Sequence, residues 1–168
     1  MQGCLSHVRV LDLSRVFAGP WATQILADFG AEVIKVEHPA TGDDIRQMGL
    51  HRTDAAGNDT GETSSFLAMN RGKRSVAIDF KSPAGQDLIR RLATEADVFV
   101  ENFKTGTLER YGLGYADLKA VNPDLVYCSI TGFGQTGPRK KLPGYDPLFQ
   151  AMSGLMSITG VADGEPGA

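Results

Sequence analysis

"VLDLSRVFAGPWATQILADFGAEVIKVE", Val10 to Glu37, decides the fold. Val8 to Leu13 reads as a short buried strand, and Pro20 suits the first turn of a helix. Ala22, Ile25, Leu26 and Phe29 then fall at i, i+3, i+4 and i+7, which predicts a helix that buries this face and ends at Gly30. A second strand is expected over Glu32 to Val36. Strand, helix and strand joined by tight turns begin a parallel α/β sheet with right-handed crossovers.

The alternation continues downstream. Residues Pro39 to Ser64 are polar and rich in Gly, Asp and Thr, and are expected as one long functional or mobile connection. Ser75 to Asp79 resumes as strand. Ser82 and Pro83 then mark an N-cap and first helical residue, with Leu88, Ile89, Leu92, Ala93 and Ala96 on one apolar face. Val98 to Val100 is the next strand, and a short helix over Asp117 to Val121 is stopped by Asn122-Pro123 before the strand Leu125 to Ile130. Asp146 before Pro147 reads as the cap of a last helix, which carries Leu148, Ala151, Met152, Leu155 and Met156 on one side. The tail Asp163 to Ala168 has the composition of a loop without a closing element, so the chain is expected to be cut from something longer.

The totals bound the function. A chain of 168 residues, 42% of them hydrophobic, can bury one core, and its length argues for one domain. A net charge of -3 with interspersed signs lacks the positive field that nucleic acid or an anionic membrane attracts. Cys4 and Cys128 are far apart in sequence and suggest neither a disulfide framework nor a metal site. No stretch reaches the roughly 18 apolar residues of a membrane span, and the start lacks a secretion signal. A cytoplasmic protein is expected.

One motif needs a decision. In "SITGFGQTGPRKK", Ser129 to Lys141, Gly132, Gly134 and Gly137 have the spacing of a dinucleotide-binding turn. Such a turn works because a helix starts at the third glycine and aims its free N–H groups at the pyrophosphate. Here Pro138, three cations and Pro143 leave no room for that helix, and the acidic residue about twenty positions on is missing. An NAD-binding oxidoreductase is thus the weaker alternative. The glycines instead let the backbone turn sharply beside a ligand.

Together with the opening stretch, "NRGKRSVAIDFKSPAG", "ADVFVENFKTGTLERYGLGYADLKAVNPDLVYCSITGFGQTGP" and "GYDPLFQAMSGLMSITG" resemble the amino-terminal part of class III CoA transferases, the CaiB/BaiF family. The resemblance runs from about Val8 to Gly160. It implies a Rossmann-like large domain, α/β with a parallel sheet and flanking helices, that binds CoA. It also implies a smaller domain from the middle of a longer chain, and an interlocked homodimer. The implied reaction moves CoA between an acyl-CoA and a small carboxylic or dicarboxylic acid, with no tightly bound cofactor and no metal. An aspartate attacks the thioester, a mixed anhydride forms, and CoA thiolate gives an aspartyl-CoA thioester, a covalent route that splits one hard step into easier ones. That aspartate is expected beyond Ala168, so no catalytic residue is assigned within the chain. A CoA-binding remnant without turnover is the alternative.

The resemblance also assigns roles. Arg15, Val16, Phe17 and Ala18 match the segment that holds CoA after the first strand, Phe17 standing where formyl-CoA transferases carry glutamine. The competing reading packs Phe17 into the core. His38 matches a position near the adenine end, or is a plain surface histidine. Ile78, Lys81, Asn102, Phe103, Lys104 and Arg110 match segments lining the nucleotide site, where cations suit phosphates. Tyr145, Asp146, Gly132 and Gly134 match active-site support. Related acyl-CoA racemases carry histidine at the place of Tyr145, and a phenol titrating at about 10 is a poor neutral-pH base, so transferase is favoured over racemase. Asp146 has the competing role of helix cap.

Overall fold

The computed structural model describes residues 3–160. The tail expected as loop, Asp163 to Ala168, lies outside them. The chain divides after Ile130 into two compact units. In chain order the elements are β1 (Arg9–Asp12), α1 (Ala18–Asp28), β2 (Glu32–Glu37), β3 (His51–Thr53), β4 (Asp59–Thr63), α2 (Ser64–Asn70), β5 (Arg74–Ala77), α3 (Pro83–Ala93), β6 (Val98–Glu101), α4 (Tyr115–Val121), β7 (Val126–Ser129), α5 (Asp146–Ser153) and α6 (Leu155–Ile158). Single 3-10 turns span Asp44–Gln47 and Leu108–Tyr111.

Five strands form one parallel sheet in the order β5-β2-β1-β6-β7. The chain builds outward from β1 to β5, then restarts on the other side of β1 with β6. The order therefore reverses between β1 and β6, the point where open α/β sheets hold ligands beyond their strand carboxyl ends. Apolar residues cover both faces, as a buried parallel sheet requires. Val10, Val33 and Val100 join Ala31 in one cluster, flanked by Leu26 and Ala27 of α1. Leu11, Phe99, Ile89, Leu113, Leu118 and Leu125 build the other beneath α3 and α4.

The strand expectations hold to within a residue or two, and α3 starts as expected, Ser82 accepting the Gly85 N–H at 3.0 Å. Three local readings are corrected. Helix α1 buries Gly19, Pro20, Thr23 and Gln24, while Ala22, Ile25 and Phe29 of the expected apolar face are exposed. The cause is close approach: a Cβ on Gly19 would lie 2.2 Å from Ser14 Cβ, and Thr23 is drawn inward as partner of a buried carboxylate. The connection Pro39 to Ser64 is not one long loop, since the antiparallel hairpin β3–β4 occupies it. Side chains order it: Thr63 donates to Ile45 O at 2.9 Å and accepts the Phe66 N–H at 3.2 Å, and Arg46 donates to Gly61 O at 3.2 Å. Finally Leu88, expected in the α3 face, is exposed, and Gly85 takes the inward position.

In the second unit, Pro138 to Lys141 form a turn and no helix starts at Gly137, so the glycine run lacks the geometry of a dinucleotide fingerprint. Tyr145 occupies the N-cap of α5 and Asp146 lies inside the helix, where it accepts from the Gln150 side-chain amide. Asp146 is thus not the cap. The expected single helix breaks at Gly154, which is left-handed with φ 81°.

Ile89 is fully buried and Leu88 is 45% exposed, one residue apart on α3. Ile89→Ala is expected to cost about 2–5 kcal/mol and Leu88→Ala less than about 0.5 kcal/mol in urea unfolding; equal losses would contradict this orientation of the helix.

Candidate functional site

The loops leaving β1, β2, β5 and β6 enclose a cavity of about 430 Å³ at the sheet's switch point. Its apolar wall is built by Leu13, Val36, Ile78 and an aromatic group of Phe80, Phe103 and Tyr111. Phe80 meets Phe103 edge-on at 5.2 Å and Tyr111 at 5.4 Å between ring centroids. Such a rigid apolar slot suits a planar heterocycle. Arg15, His38 and Lys81 also line it, and the Arg15 guanidinium lies 4.8 Å from the Phe103 ring centroid. A second hollow of about 450 Å³ lies at the opposite strand ends, against α3. There Arg9 bridges Glu32 at 3.7 Å and Glu95 at 3.2 Å, and no aromatic group lines the hollow.

Strand alternation explains what lies under the first cavity. Asp12 shares its face with Val10, and Lys35 shares its face with Val33, so both charges end up buried at the carboxyl ends on the α1 side. Lys35 Nζ lies 2.7 Å from Asp43 Oδ2 and donates to Ser14 O at 2.9 Å. Asp43 Oδ1 accepts the N–H groups of Val16 at 2.9 Å and Ile45 at 3.1 Å. Asp12 accepts from Ser14 N at 2.9 Å, Thr23 Oγ1 at 2.5 Å and Lys73 Nζ at 3.1 Å. Lys73 also donates to Pro20 O, Thr23 Oγ1 and Asn70 Oδ1 at 2.8–2.9 Å. Burial pushes the Lys73 ammonium down to about 8, against the pull of Asp12.

The turn held above these charges is strained. Val16 has φ 66°, the one positive value at a non-glycine among the described residues. For a β-branched side chain this costs on the order of 1–3 kcal/mol and persists only where surroundings impose it. From the β6 side, Asn102 donates to Arg15 O at 2.7 Å and accepts the Arg15 N–H at 2.8 Å. Glu101, raised by burial, accepts the Phe103 N–H at 2.7 Å and so fixes the exit from β6.

Of the residues assigned from sequence, Arg15, His38, Ile78, Lys81 and Phe103 meet in the cavity wall. Val16, Phe17 and Ala18 continue the adjoining turn; Phe17 is 44% exposed, which overturns its reading as a core residue. The Asn102 amide is committed to the Arg15 backbone. Lys104 and Arg110 are exposed beside the wall, Lys104 O accepting the Thr107 N–H at 2.9 Å. Gly132, Gly134, Tyr145 and Asp146 belong to the second unit, where Gly132 packs so tightly that a Cβ would come within 2.7 Å of Gly144 Cα. Sequence reading missed Tyr111, Asp43 and the two buried lysines. Lys35 did carry a signal, as a cation among the apolar residues Val33, Ile34 and Val36 of "EVIKVE". Among the described residues no group of three or more His, Cys, Asp or Glu is gathered as metal ligands would be. No helix among them is long and apolar enough to cross a membrane.

Glu37 closes the floor. Burial alone would push its carboxyl up, but bonds from Arg46 at 2.7 and 2.8 Å, Ser75 Oγ at 2.6 Å and Asp43 N at 3.0 Å hold it at about 2.

Residues 5–168 match the model of CoA-transferase family III. The chain is 54% identical over 162 residues to the succinate–glutarate CoA-transferase of Agrobacterium fabrum, covering 96% of this chain and 40% of that protein. It is 51% identical over 162 residues to the succinyl-CoA:glutarate CoA-transferase of Mus musculus, covering 96% and 36%. A crystal structure of a CaiB/BaiF family protein from Brucella suis superposes with a TM-score of 0.92 at 49% identity, covering all of this chain and 44% of that one. The chain therefore spans about two fifths of the length of the curated relatives it matches.

The Glu37 carboxyl falls from 4.5 to about 2 on folding, so its contribution to stability, about 3 kcal/mol, is full above pH 4.5 and is lost as pH drops toward 2. Urea unfolding across that window is expected to show a flatter acid limb for Glu37→Gln than for the wild type; parallel limbs would contradict the ion pair's contribution.

Proposed function

The chain belongs to CoA-transferase family III, and from that premise we propose that the protein moves CoA from an acyl-CoA to a small dicarboxylic acid, this chain supplying the crevice that holds the CoA nucleotide. The observation that carries the assignment is the switch-point cavity, with one aromatic wall and one cationic rim. Adenine lies in the slot of Phe80, Phe103 and Tyr111. Arg15, His38 and Lys81 face the phosphates, with Lys104 and Arg110 as outer cations. The N-terminus of α1 supports the same reading: it has no side-chain cap and no acidic residue in its first turn, so the N–H groups of Ala18 and Gly19 remain available to the pyrophosphate. Backbone groups of Val16 to Ala18 follow the ligand toward the pantetheine.

Within this crevice the residues bind and do not react. Both carboxylates in its wall are engaged, Glu37 by Arg46 and Asp43 by Lys35. We assign the covalent step to a carboxylate outside this crevice, with Tyr145, Asp146, Gly132 and Gly134 as its support. The exposed Phe17 ring favours an acyl chain with methylene groups, as in the succinyl and glutaryl units named for the relatives. The working assembly is a homodimer in a reducing cytoplasm, where Cys4 and Cys128, both free, stay thiols.

Calorimetric titration of the intact protein is expected to register CoA binding, with Lys81→Ala weakening it about tenfold, close to the worth of one hydrogen bond to a charged group, and Tyr111→Ala about as much through the lost ring contact. CoA exchange from succinyl-CoA to glutarate is the activity to assay. Heat from NAD(H) and none from CoA would overturn the assignment.

A further inference from the structure

Three consecutive residues of the turn after β1 are each tied through their backbone by side chains from β2 or from the exits of β2 and β6. Ser14 O accepts from Lys35, both backbone groups of Arg15 pair with Asn102, and the Val16 N–H is bound by Asp43. Asp43 is buried, lies 27 residues from Val16 in sequence, and is anchored by Lys35 at 2.7 Å. Asn102 lies 87 residues from Arg15 and its side-chain amide makes both of its bonds to that residue's backbone. These ties converge on Val16, whose φ of 66° the residue does not adopt by itself. The turn also begins α1 and walls the cavity through Leu13 and Arg15.

We propose that Asp43 and Asn102 are positioning residues that hold Val16 in its left-handed conformation, and so keep the turn in the one shape that receives the acyl-CoA. The proposal rests on the CoA reading above for its ligand, while the conformational claim stands without it. Asp43 lines the cavity wall, but its carboxylate is committed to Lys35 and to the N–H groups of Val16 and Ile45, and the Asn102 amide is committed to the Arg15 backbone. Their action passes through the backbone of residues 14–16.

Glycine supplies the test, because without a Cβ it takes a positive φ at no steric cost. If the two side chains serve to impose that conformation, Val16→Gly relieves the need for them. A simple structural ion pair or bridge predicts no such relief. Asp43→Asn and Asn102→Ala are each expected to weaken CoA binding by calorimetry at least about tenfold in the Val16 background. In the Val16→Gly background the same substitutions should cost about threefold or less, by the logic of a double-mutant cycle. Equal losses in both backgrounds, or a lowered melting temperature with unchanged CoA affinity, would overturn the proposal. Because Asn102→Ala spares the buried Lys35 pair, the cycle stands even should Asp43→Asn not fold.

Hydrogen exchange on the ligand-free protein separates this idea from the functional one. Amides of residues 14–18 should exchange faster in Asn102→Ala and Asp43→Asn while those of α3 remain unchanged. If wild type binds no CoA yet the exchange behaves so, the functional reading fails and the positioning role survives. If CoA binds and exchange in the turn is unmoved, the reverse holds.

Discussion

Two buried lysines carry the architecture of the crevice. Lys35 and Lys73 put ammonium groups under the turn after β1, where Asp43 and Asp12 neutralise them and backbone or side-chain oxygens take their remaining protons. An ion pair in such a place adds little over a well-packed apolar replacement, but removing one partner strands a charge out of water and is severely destabilising. The arrangement therefore makes sense as a device for geometry. It links β1, β2, α1, α2 and the stretch before β5 through directional contacts, which apolar packing would not supply.

The strands were readable because a parallel sheet covered on both faces needs short apolar runs, and "RVLD", "VFVE" and "EVIKVE" supply them. Helix α3 announced itself through Ser82-Pro83. The face of α1 was not readable, because periodicity assumes that apolar residues go inward, whereas here Thr23 and Gly19 do so to serve Asp12 and Ser14. The order of residues 39–64 escaped for a related reason: it rests on side chain to backbone bonds such as Thr63 to Ile45, which leave no period in the sequence. In the crevice, the cations and Phe103 could be assigned by matching segments. Tyr111 could not, standing one place past Arg110 at the end of a 3-10 turn, where Arg90 donates to the carbonyls of Tyr111 and Gly112 at 3.1 Å. Nor could the commitment of Asn102 to a backbone that lies 87 residues away.

A division of labour follows from the chemistry of the walls. On the proposed function, the aromatic slot and the cations would meet a nucleotide that is the same in every acyl-CoA, and so would set CoA apart from other cofactors without reaching the acid. On the same proposal, acid selectivity would arise at the thioester end of the ligand, away from Tyr111. Phe17, exposed at the end of the strained turn, is the residue that this proposal would place toward the acyl group.

Helix α1 is turned inside out relative to its own composition. With Thr23 and Gln24 inward, the rings of Phe17 and Trp21 and the side chain of Ile25, spaced one turn apart, stand outward with 44–59% of their surfaces in water. This sets the colloidal character of the chain: the same inward polarity of α1 leaves a greasy ridge that starts at the turn and runs along the helix, so that wherever the ridge is uncovered, the solubility limit is governed by it more than by the modest net charge.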